Sequence, residues 1–348
     1  MKRVKALMML MFLVTFLSGC WDIKDIDKRV LPLVIGISKV NNEDYKVTVQ
    51  IPITKKDGEI SRIVTSIDEN VSSALGQIKT NSENAVDYSH VRLVIIQSDL
   101  SDNKEELKQL VTFLMTSREF PTNAQLAFTD VPIEELLSNI NDKLGVDSTS
   151  LYDFFNKGAG WAPEILSTRI WEVYRSMFSY TEDITIPIVD PGKDTVINYK
   201  GAVALKLGEL TQRIDPNETQ LIKLFQNKNA KGKIENVGFA SVMVTSSAIE
   251  NKTLIESNKP VVSINVKLKI HVLEREAGIS NERIKKDLEK LIEERFNKMF
   301  EKAQENKTDI FGFGQYFRNQ IPYDDLKKWR EGYYPDLKVD FQVHTSME

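Results

Sequence analysis

Beyond residue 30 the hydrophobic positions change period repeatedly, and each change marks an element. Residues 30–40 and 45–54 read as strands, the second alternating through Val47, Val49, Ile51 and Ile53. Asn41-Asn42-Glu43-Asp44 between them is turn-like, so a hairpin is expected. Ser66 and Glu69 have capping-box spacing, and Ile67, Val71, Leu75 and Ile78 fall on one helical face, which predicts a helix of about 15 residues. Residues 91–97 form a continuous apolar run of strand length. Asp102 or Asn103 then caps a helix carrying Leu107, Leu110, Val111 and Leu114. Residues 124–129 read as a strand, 133–140 as a short helix, and 161–179 as a helix with Ile165, Ile170, Val173 and Met177 inward.

Residues 184–189 followed by Asp190-Pro191-Gly192 mark a strand ending in a turn, and another strand begins at 196. Asp215-Pro216-Asn217-Glu218 combines an N-cap, a proline at the first helical position and an acid behind it, ahead of Leu221, Ile222 and Phe225. The clearest strand has Val262, Ile264, Val266, Leu268, Ile270 and Val272 on one face and polar residues on the other. Ser280-Asn281-Glu282 opens a helix of about 25 residues, and a last strand alternates through Leu337, Val339, Phe341 and Val343. The expected class is α+β and multi-domain: mixed and antiparallel sheets covered by helices, with a long helix on a mostly antiparallel sheet in the C-terminal domain. The expected division is a signal peptide (1–19), a lipidated tether (20–29), an N-terminal α+β region (30–195, divisible at 145/146) and a C-terminal α+β domain (196–348).

The N-terminus changes this picture from a soluble to an anchored protein. Lys2, Arg3 and Lys5 precede an apolar run from Ala6 to Leu17 broken only by Thr15, shorter than the roughly 18 residues of a membrane span. Leu17-Ser18-Gly19-Cys20 resembles a bacterial lipobox. There Leu17, Ser18 and Gly19 are read by the signal peptidase, and the Cys20 thiol receives diacylglycerol and further acyl chains such as palmitate. Two or three chains, at about 0.8 kcal/mol per buried methylene, anchor firmly. Cys20 is the only cysteine of 348 residues, so no intramolecular disulfide or cysteine-based zinc site exists. Loss of residues 1–19 removes three of 46 basic residues and none of the 50 acidic ones, leaving a formal charge of −7. That balance supports neither nucleic-acid binding nor polybasic attachment to lipid.

Catalytic signatures are sparse. The sequence has no nucleophile elbow, Walker loop, His-Glu-x-x-His pair or calcium loop. His90, His271 and His344 are far apart, and the last two fall on polar strand faces, so surface or structural roles are expected and no metal or cofactor is assigned. Gly312-Phe313-Gly314 lacks the strand–turn–helix setting of a dinucleotide site and reads as a turn into a helix. Glu134-Glu135, Glu293-Glu294 and Asp324-Asp325 are adjacent pairs whose side chains point about 100° apart on a helix, so they read as solvated groups. Trp161, Trp171, Trp329, Tyr333 and Tyr334 could line a pocket or partner surface, or fill a core.

Cys20-Trp21-Asp22 after the lipobox, Ser89-His90-Val91 leading into an apolar strand, Ser117-Arg118-Glu119 before another, and Asp309-Ile310-Phe311-Gly312-Phe313-Gly314 after the long helix occur in that order across the chain. In this order they resemble the Ger(x)C family, the C subunits of spore germinant receptors. Pro121-Thr122-Asn123 departs from the more polar or basic start to the next strand that the family shows, which blurs the correspondence around residue 120. The resemblance implies a three-domain α+β lipoprotein without known catalytic activity, held by Cys20 on the outer face of the cell membrane and, in spores, on the inner spore membrane. It implies partnership with membrane-embedded A and B receptor subunits in the response to nutrients. Trp21, Asp22, His90, Arg118, Phe311, Gly312 and Gly314 are motif positions without an assigned role. The alternative is a solute-capturing lipoprotein that delivers ligand to a transporter from a cleft between domains. A third reading, an anchored cell-wall hydrolase, rests only on location and scattered carboxylates.

Overall fold

The computed structural model describes residues 28–41, 43–55, 58–144, 154–155, 162–226, 231–257 and 259–348. Its larger sheet has eight strands, labelled here β2 (Val34–Val40), β3 (Asp44–Lys55), β4 (Gly58–Asp68), β6 (Leu93–Gln97), β7 (Gln125–Thr129), β8 (Ile184–Pro191), β9 (Ile197–Lys206) and β10 (Glu209–Ile214). A two-residue parallel pair, β1 (Arg29–Val30) with β5 (Ala85–Val86), lies beside it. The spatial order is β10-β9-β8-β7-β6-β2-β3-β4. The neighbours β2, β6, β7 and β8 are mutually parallel, and the outer strands are antiparallel.

Helices α1 (Val71–Asn81), α2 (Lys104–Thr116) and α4 (Ile170–Met177) share one core with one face of this sheet. Helix α3 (Ile133–Leu144) and Phe155 cover the other face. Covering on both faces explains why β6 reads as an unbroken apolar run rather than an alternating one. Asn103 caps α2 by accepting the N–H groups of Glu105 and Glu106, and Leu107, Leu110, Val111 and Leu114 are buried as their spacing predicts.

The second sheet runs β11 (Ile234–Asn236), β12 (Ala240–Glu256), β13 (Lys259–Arg275), β14 (Lys338–Met347). A 25-residue helix, α6 (Asn281–Glu305), packs on it, capped by Ser280. The short α5 (Thr219–Phe225) contributes Leu221, Ile222, Leu224 and Phe225 to the same core. β13 pairs antiparallel with β12 but parallel with β14, because α6 and the loops after it carry the chain back before the last strand begins.

Several expectations shift. Pro32 lies in the break that splits the strand expected over 30–40 into β1 and β2. Residues 66–68 belong to β4, whose backbone pairs with β3, so the helix starts at Val71 under an Asn70 cap and Ile67 is 48% exposed. The helix expected over 161–179 is confined to α4; Ile165 is buried outside it, and Trp161 lies outside the described residues. The domain limit expected at 195/196 falls between β8 and β9, which are paired neighbours in the large sheet.

Candidate functional site

The Asp309–Gly314 motif builds a buried clasp between the two sheets. Asp309 and Asp183, the residue before β8, are joined in both directions. The Asp309 N–H donates to Asp183 Oδ2 (2.7 Å), and the Asp183 N–H donates to the Asp309 carbonyl (3.0 Å). Arg330 donates through Nη2 and Nε to both Asp183 oxygens (2.5 and 3.1 Å) and through Nη1 and Nη2 to the carbonyls of Tyr180 and Glu182. Asp309 accepts the N–H groups of Phe313 and Gly314 and the Trp329 indole Nε1–H, all within 2.9 Å. Asp183 and Asp309 each accept three hydrogen bonds in this set, and Arg330 donates four.

Burial pushes the Asp309 carboxyl up to about 7, against the pull of its three donors and helped by Asp183 nearby. Burial likewise raises Asp183, with the Arg330 guanidinium opposing it. Gly312 has φ +70°, a conformation glycine adopts without a Cβ penalty. A Cβ on Gly314 would lie 2.7 Å from Trp329 Nε1 and 2.8 Å from both Cβ and O of Thr181. Phe311 is buried against Phe225 and Phe296, at 4.8 and 5.1 Å between ring centroids. Trp329 and Tyr334 are fully buried, which decides for core over partner surface at those positions. Trp171 instead lies half-buried under the Arg175 guanidinium.

His90 and Arg118 are not part of this clasp. Both are exposed in the segments that lead into adjacent parallel strands, His90 before β6 and Arg118 before β7. The two segments touch, with Tyr88 stacked on Phe120 and Lys79 bonded to Glu119 above the Tyr88 ring. Arg29 pairs with Asp87 at the same end, ahead of β2. His271 and His344 are exposed on different strands. Leu17, Ser18, Gly19, Cys20, Trp21 and Asp22 lie outside the described residues.

The acid pairs are not all simply solvated. Glu134 binds Lys46 and accepts from the Thr48 hydroxyl, and Glu293 accepts the Val343 N–H of β14 (3.0 Å). Asp324 pairs with Lys327 on the surface. Among the described residues no group of three or more His, Cys, Asp or Glu is arranged to hold a metal ion, and no helix is long and apolar enough to cross a membrane. Sequence reasoning missed Asp183 and Arg330. Their only signal is an acid directly before a strand and an arginine inside an aromatic run, 147 residues apart.

Comparison with known proteins gives matches over nearly the whole chain. Residues 22–191 match the family described as spore germination protein N-terminal domain, and residues 200–348 match spore germination B3/GerAC like, C-terminal. Spore germination protein KC of Bacillus subtilis (strain 168) is 22% identical, covering 99% of this chain and 95% of its own length. Spore germination protein B3 of the same organism is 23% identical, covering 100% and 98%. The crystal structure of the GerBC protein superposes with a TM-score of 0.59 at 17% identity, over 90% of this chain and 96% of that one.

Proposed function

The chain belongs to the GerAC-like spore germination family, with a role in spore germination, and from that premise we propose that it is a non-enzymatic, lipid-anchored subunit of a nutrient germinant receptor. The observation that carries this reading is the match of both family halves, in order, to residues 22–191 and 200–348. The family association points to the inner spore membrane, where Cys20 would carry the lipid and the chain would assemble with membrane-embedded A and B subunits. The structure supports the non-enzymatic part through the clasp. Its two carboxyl groups each accept three hydrogen bonds from backbone, indole or guanidinium donors and are buried, so neither faces solvent where a substrate could reach it.

The tether is short. Seven residues separate Cys20 from Lys28, an extended reach of roughly 30 Å, so the end of the sheet that presents Arg29, His90 and Arg118 would stay close to the bilayer. Trp21 and Asp22 would sit between lipid and fold and set the orientation.

Replacing Cys20 by alanine should release the protein from the membrane fraction and impair nutrient-triggered germination. Normal germination by a Cys20→Ala strain whose protein is soluble would refute the anchor's role. Co-purification of the wild-type chain with two polytopic membrane proteins tests the assembly directly.

A further inference from the structure

Beside the first described residues a cleft of about 820 Å³ opens between β4, the edge strand of the large sheet, and helix α1. Its floor is the margin of a hydrophobic core: Val30, Ile51, Val64 and Ile78 all pack into the cluster beneath α1, and Ile51 and Ile78 are only 4% and 2% exposed. The mouth is polar and carries both signs of charge. Arg62 on β4 faces Glu83 on the link between α1 and β5 at 3.9 Å, with side chains 60% and 86% exposed.

A solvated pair at that separation contributes little to stability and is readily exchanged for other partners. Asn81 and Asn84, also at the mouth, make no side-chain hydrogen bond among the described residues. Of the other polar groups, Arg29 is committed to Asp87, Ser82 to the Ile78 carbonyl, and Gln77 to Ser66 and Asp68, while the Thr65 hydroxyl has no side-chain hydrogen bond among the described residues. The groups left to meet a ligand are therefore one guanidinium, one carboxylate, two amides and one hydroxyl above an apolar floor. The volume lies within the range of about 300–1,000 Å³ typical of small-molecule sites.

We propose that this cleft binds a small zwitterion with an apolar side chain, that is, an apolar α-amino acid. Arg62 would receive its carboxylate in a two-pronged pair. Glu83 would take its ammonium, Asn81 and Asn84 would bond the remaining polar atoms, and the side chain would cover Val64 and Ile78. Such a ligand also touches Val30, so occupancy would brace the two-residue β1–β5 pair that begins the fold. All the residues named for it belong to this chain.

Titration of the full-length chain in detergent with L-leucine, followed by calorimetry, tests the proposal. Controls are 4-methylpentanoate, which lacks the ammonium, and 3-methylbutylamine, which lacks the carboxylate. Leucine should bind with one-to-one stoichiometry and each control at least about tenfold more weakly. Arg62→Gln should weaken leucine about tenfold and leave the amine unaffected, and Glu83→Gln should weaken leucine similarly and leave the acid unaffected. Both side chains are exposed, so neither change threatens folding. Absence of saturable leucine binding at roughly millimolar concentration would overturn the proposal. Binding unaltered by both substitutions would overturn it too, and neither result bears on whether Cys20 is lipidated.

Discussion

Gly314 is the residue at which backbone and clasp come closest. A methyl group there must displace the Trp329 indole or the Thr181 backbone, neither of which is a flexible side-chain end. Gly314→Ala should therefore lower stability by about 1–3 kcal/mol, read as a fall in melting temperature. Asp309 makes the second prediction at this scale. Its carboxyl, ordinarily near 3.8, is raised to about 7 in the folded chain, so between these values the folded state holds a proton that the unfolded state has lost. Its contribution to stability is complete below about pH 4, falls as pH rises, and is gone above about 7. Asp309→Asn does not titrate. Its melting temperature should lie furthest below wild type near pH 4 and gain on it up to pH 7, then level off. A difference constant across that range would show that the carboxyl titrates as in the unfolded chain.

Among the elements, the last strand shows how a charged helix protects a sheet edge. β14 pairs on one side with β13, and on the other the Glu289 and Glu293 carboxylates of α6 accept the N–H groups of Thr345 and Val343. Glu289 also accepts the Thr345 hydroxyl. An unpaired edge invites pairing with other chains, and these carboxylates block that. Removing both as Glu289→Ala and Glu293→Ala should cost about 1–3 kcal/mol for each donor left unpaired, measured by denaturant titration, and should raise the tendency to aggregate. Periodicity revealed α6 and its apolar stripe, yet the partners of its acids were illegible, since a solvated carboxylate and one aimed at a strand edge look alike in sequence. The same limit hid β4: residues 61–68 alternate as well as a strand should, but a capping signal overlaps them, and only pairing with β3 decides between the two.

For the molecule as a whole, the clasp is one of several links between the two sheets, beside a shared core and the bonds of Lys206 and Lys302, and sequence distance conceals it. The Asp183 side chain is wholly buried and that of Arg330 is 7% exposed, so removing one partner strands a charge away from water. Arg330→Met should lose about 3–5 kcal/mol. Adding Asp183→Asn to it should lose less than the two single changes summed, because no unpaired charge is left. Denaturant midpoints of the three variants against wild type measure this coupling; additive losses would mean that the pair does not act as a unit.

What the chain determines by itself is local. The helix cap at Ser280 and one at Asp102 or Asn103, the buried stripes of α2 and α6, the alternation of β13 and β14, and the turn at Gly312 all follow from the periods 2.0 and 3.6 and from side chains that bond their own backbone neighbours. The order of the family motifs, from Cys20 to Gly314, is likewise a property of the sequence. Tertiary structure alone decided that Asp309 meets Asp183, that His90 and Arg118 stand at one end of the parallel strands, and that Arg62 faces Glu83 across a cleft. These juxtapositions join residues far apart in the chain. The energy that fixes them is burial and hydrogen bonding between elements, which no local period records.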